Sequence, residues 1–120
     1  IIMAIKIDSN LGDILIDNTV IARMAGAVAT KCYGVVGMVA RNTKDGIVNL
    51  LKPDYMSKGV KVDAQDGGIV VDMHIMVEYG VNINVVCNSI VNNVKYKLEQ
   101  MAGLQVNKVN VVVEGIRVDE

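Results

Sequence analysis

Phenylalanine and tryptophan are absent from this chain, proline and histidine occur once each, and four tyrosines are its only aromatic residues. A core without large rings has to be filled by Val, Ile and Met, and β-branched side chains suit a pleated sheet better than a helix. No apolar run approaches the ~20 residues that a bilayer-spanning helix needs. The opening stretch Ile1-Ile2-Met3-Ala4-Ile5-Lys6-Ile7-Asp8 has neither the basic region nor the cleavage site of a secretory signal. A cytoplasmic protein is therefore expected, reaching a membrane only through a partner. A basic surplus is missing too. Twelve Lys and Arg against thirteen Asp and Glu leave a net charge of −1, which argues against nucleic acid as a partner, since phosphate binding needs replaced counterions. A lone histidine and two cysteines cannot assemble a zinc site. Cys32 and Cys87 read as small buried hydrophobes in a reducing compartment, and joining them would require their Cα atoms to lie within ~7 Å.

What is present is pattern. With 120 residues, 52% of them apolar, the chain is one domain with a core of its own. Residues 1–11 read as an N-terminal extension and 12–118 as the domain. Gly12 to Asp17 reads as a short strand, with Asp17 or Asn18 capping a helix. Val20, Ile21, Met24, Ala25, Val28, Ala29 and Cys32 recur at the helical period, and Gly34 stands where a left-handed terminator belongs. Val35 to Ala40 is a fully apolar strand candidate. Residues 41–59 break the pattern. There Ile47, Leu50 and Leu51 suggest a short amphipathic turn, in the segment expected to be most mobile. Val60 to Ala64 and the strand from Ile69 form a hairpin around Gln65-Asp66-Gly67-Gly68. Val71, Met73, Ile75, Val77 and Tyr79 share the core face of the long strand, with Tyr79 capping its end. A second helix to Ala102 carries Ile83, Val86, Cys87, Ile90, Val94, Leu98 and Met101 on its apolar stripe. Gly103 ends it, and the last strand runs from Val106. The result is an α+β two-layer sandwich, a mixed β-sheet with two helices on one face, in the order β-α-β-β-β-α-β. The closing β-α-β unit makes its two strands parallel.

Chemistry is sparse. His74 shares a sheet face with Asp72, Glu78, Asn110 and Glu114, a small polar group best read as a solvated face. Gly34-Val35-Val36-Gly37 has the GxxG spelling of KH-type RNA binders. It joins a helix to a strand with nothing basic beside it, so it reads as a terminator and a strand glycine. No nucleophile sits beside a base, and neither cysteine has a histidine partner or a CxxC arrangement. No catalytic, cofactor-binding or metal-ligating residue is assigned. The one candidate contact is Tyr96 with Lys95 and Lys97, because tyrosine is favoured where a surface meets a partner.

Several segments resemble the alkaline shock protein 23 family, the Gls-type general stress proteins of Gram-positive bacteria. They are Gly12-Asp13-Ile14 with Ile16 and Val20-Ile21-Ala22, Gly34-Val35-Val36-Gly37-Met38, Gly59-Val60-Lys61-Val62, Val71-Asp72-Met73 through Tyr79-Gly80, Val94 to Leu98-Glu99, Gly103-Leu104, and Val109-Asn110-Val111 through Gly115-Ile116. The short form looks like members often encoded beside a dihydroxyacetone-kinase-like protein, the fatty acid kinase catalytic subunit. The resemblance implies a non-enzymatic cytosolic interaction or scaffold protein in cell-envelope homeostasis or stress response. It implies a protein partner or homo-oligomer and, at a membrane, an anchoring protein. The alternative it leaves open is a small-molecule sensor of acyl or lipid type, or a regulatory subunit of a fatty-acid-kinase-type system.

Overall fold

The computed structural model describes residues 4–9, 11–41, 48–51 and 58–118. Its elements are β1 (Ala4–Ser9), β2 (Gly12–Asp17), α1 (Asn18–Thr30), β3 (Val35–Arg41), β4 (Val48–Leu50), β5 (Val60–Gln65), β6 (Gly68–Glu78), α2 (Ile83–Ala102) and β7 (Val106–Arg117). The α+β order expected from sequence holds, with two strands added. β1 forms within the segment read as an extension and pairs with β2 in a separate two-stranded ribbon. β4 forms where a helical turn was expected around Leu50, and pairs with β3. The cross-strand partner Val39, with Ala40 and Arg41, decides this against a local turn too short to sustain a helix. The mobility expected of residues 41–59 falls mostly outside the described residues.

β6 is the central strand. β7 lies parallel to it along one edge from Ile69 to Glu78. Its other edge is shared, β5 pairing antiparallel with Gly68 to Met73 and β3 with Ile75 to Val77. The β5–β6 turn explains itself. Asp66 and Gly67 both have positive φ, 48° and 78°, the geometry that a two-residue type I′ hairpin demands.

Alternation along β6 is complete, with Ile69, Val71, Met73, Ile75 and Val77 fully buried. Both helices cover that face, meeting it with Ile21, Ala25 and Ala29 from α1 and Val86, Ile90, Val94 and Leu98 from α2. The buried face of α1 is rotated from the expected one. Ala22 and Gly26 turn inward while Val20 is half exposed, because small residues let the helix approach its neighbours more closely than valine allows. Asp17 caps α1, its carboxylate accepting the Thr19 N–H at 2.7 Å. The helix stops at Thr30, with Lys31 still right-handed, so Gly34 is not its terminator. With φ +85° it instead carries the link into β3. In α2, Asn82 accepts the Val85 N–H and left-handed Gly103 closes the far end. Ile83 and Met101, expected on the buried stripe, are exposed at the helix ends, as is Tyr79 beyond the end of β6.

Candidate functional site

Two surfaces carry side chains that the fold does not consume. The first is the outer face of β6 and β7, opposite the helices. Parallel register places Asp72 beside Asn110, His74 beside Val112 and Glu78 beside Arg117. Asn110 donates its amide to Asp72 at 2.7 Å. Nδ1 of His74 lies 2.8 Å from Oε1 of Glu114, and Arg117 is 3.6 Å from Glu78. Glu114 reaches His74 because the register shifts between Ile75 and Met76, making Glu114 the extra residue of a bulge. Its side chain is only 6% exposed, against 40% for His74. The polar group read from sequence thus exists, but as pairs along a ladder. Among the described residues no cluster of three or more His, Cys, Asp or Glu side chains converges as a metal site would require.

The second surface is a groove of about 640 Å³ between the helices. From α1 it takes Arg23, Met24, Ala27 and Val28, with Lys31 just beyond, one face at the helical period. Asn93, Lys97 and Met101 of α2 form the facing wall at a spacing of four. Cys32 closes the floor. Its thiol donates to the Val28 carbonyl at 3.5 Å and accepts from the Asn93 amide at 3.6 Å. Among the described residues no carboxylate pairs with Arg23, Lys31 or Lys97. An apolar floor with three cations at its margin favours an anionic, partly apolar occupant. A smaller hollow of about 430 Å³ lies between Asn18, Thr19, Lys58 and Val62. Asn18 donates to the Val62 carbonyl there, leaving its buried Oδ1 without a hydrogen-bond partner.

Of the candidate contact residues Tyr96, Lys95 and Lys97, only Lys97 lines the groove. Lys95 and Tyr96 stand exposed on adjoining positions of α2. Arg23 and Lys31 were missed. The available signal was that α1 contains no acidic residue and α2 only Glu99. Both cysteines are free, Cys32 buried and Cys87 partly so. Burial pushes the Cys87 thiol above its ordinary value, away from nucleophilic use. No helix among the described residues is long and apolar enough to cross a membrane.

No solved structure matches the chain. Among curated proteins it is 42% identical to the uncharacterized protein YloU of Bacillus subtilis over 117 residues, 97% of this chain and 98% of that one. It is 40% identical to the uncharacterized protein Spy1614 of Streptococcus pyogenes, covering 97% of each. YqhY of Bacillus subtilis, also uncharacterized, is 36% identical over 93% of this chain and 82% of its own length. None of these names an enzymatic activity. The profile of the alkaline shock protein 23 family, described by its cell envelope-related function, matches residues 6–118, and the chain belongs to that family.

Proposed function

We propose that this protein is a non-enzymatic interaction or scaffold protein acting from the cytoplasm in cell-envelope homeostasis or stress response. It holds a protein partner or further copies of itself, and meets the membrane through an anchoring protein. The observation that carries the reading is the outer face of β6 and β7, which neither helix covers. Its polar side chains are already paired with one another, while Val70, Met76 and Val112 lie between them. A face whose polar groups are satisfied and whose apolar groups are half exposed suits association more than chemistry. Family membership supports the envelope setting.

The test is affinity purification of the tagged protein from its native bacterium, followed by mass spectrometry, beside a Val112→Glu variant. A membrane anchor or other protein recovered with the parent and lost with the variant supports the reading. Bait alone, or recovery indifferent to the variant, defeats it for this face. A second reading is a sensor of an acyl or lipid molecule, including a regulatory subunit of a fatty-acid-kinase-type system. The groove between the helices favours it, being within the volume range of small-ligand sites. Native mass spectrometry showing only unliganded protein would remove that reading.

A further inference from the structure

We propose that the groove between α1 and α2 receives a short amphipathic α-helix of a protein partner, with acidic residues flanking an apolar stripe. The inference rests on the interaction-protein reading and names the partner chemistry at a different surface.

Charge selects the sign. The helical layer, residues 18–31 and 83–102, carries Arg23, Lys31, Lys95 and Lys97 against Glu99 alone, within a chain whose net charge is −1. Glu99 is turned away, its Oε2 accepting the Val106 N–H at 3.3 Å. Three of these cations, Arg23, Lys31 and Lys97, border this groove of an otherwise acidic molecule, a pattern that steers an anionic partner and repels a basic one. Shape selects the class. The walls run from Arg23 to Lys31 and from Asn93 to Met101, which at the helical rise is about 12 Å each, or roughly two turns. That length accepts anchors at i, i+4 and i+7, the spacing by which a helix enters a groove. Met24, Val28 and Met101 supply an apolar lining that adapts to such anchors. An acyl chain brings a single carboxylate to three cations, whereas a helix presents several acidic residues along both walls. An anionic bilayer needs a protruding apolar surface, and this one is concave.

The test pans the intact protein against a displayed library of helical peptides about four turns long. Arg23→Glu and Lys97→Glu proteins serve in parallel, their folding checked by thermal unfolding. Decanoate and phosphatidylglycerol vesicles are titrated separately. The inference expects enriched peptides that are acidic, with apolar residues at i, i+4 and i+7. It expects affinity to fall at least tenfold in both variants and with added salt, while the melting temperature is unchanged. Enriched peptides that are basic or extended overturn it, as does no enrichment. Binding of decanoate or vesicles at the same residues, with no peptide selected, also overturns it. Val112→Glu should leave peptide affinity untouched. If peptides fail while cellular partners are still lost with Val112→Glu, the groove inference falls and the interaction reading stands.

Discussion

Gly34 shows how much one position can carry. Its φ of +85° is left-handed, and a Cβ there would sit 2.8 Å from Cγ2 of Val86, a buried residue of α2. Gly34→Ala should therefore cost about 2 kcal/mol, combining backbone strain with displacement of a packed side chain. Urea unfolding checks this, and an unchanged midpoint would refute it. Cys87 makes a prediction of another kind. Burial raises its pKa from the ordinary thiol value, so less thiolate exists near neutral pH than in an open thiol. Iodoacetamide at mildly alkaline pH should label native Cys87 several times more slowly than the urea-unfolded chain. Because the folded pKa is the higher one, the neutral thiol's contribution to stability is present below the unfolded pKa and is lost as pH rises through the folded value.

Elements differ in what holds them. α2 is rich in Val and Asn, weak helix formers, and its stability comes from capping and packing. Asn82→Ala should cost about 1 kcal/mol by leaving the Val85 N–H without its cap. Ile90→Ala should cost about 3 kcal/mol, since Ile90 is fully buried. Denaturant unfolding ranks the two, and a larger loss from the cap would contradict this account. The same division explains what was legible from sequence. β6 could be read because strict alternation places every second residue in the core, and the terminator Gly103 and a cap at Asp17 or Asn18 announce themselves locally. The inward face of α1 could not be read from hydrophobicity, which ranks Val20 above Ala22, when close packing favours the smaller residue. β4 was hidden because a three-residue strand has no period of its own. The groove was least legible. Lys97 could be noticed, but its relation to Arg23 and Lys31 exists only once two distant helices lie side by side.

For the whole molecule, stability should be graded outward from β6, which is hydrogen-bonded along both edges. Amide hydrogen exchange should be slowest from Val71 to Val77 and fastest in the β1–β2 ribbon, whose residues Gly12 to Leu15 are all exposed. Uniform protection would contradict this order. The scarcity of aromatics has a practical outcome at the same scale. Tyr33, Tyr79 and Tyr96 are all exposed in the folded chain, so unfolding changes their surroundings little. The ultraviolet signal of these three is nearly blind to folding. They report contact instead, and with Tyr33 and Tyr79 replaced by Leu, a change in tyrosine emission on mixing that Tyr96→Leu abolishes would register a molecule settling beside Lys97 without any attached dye.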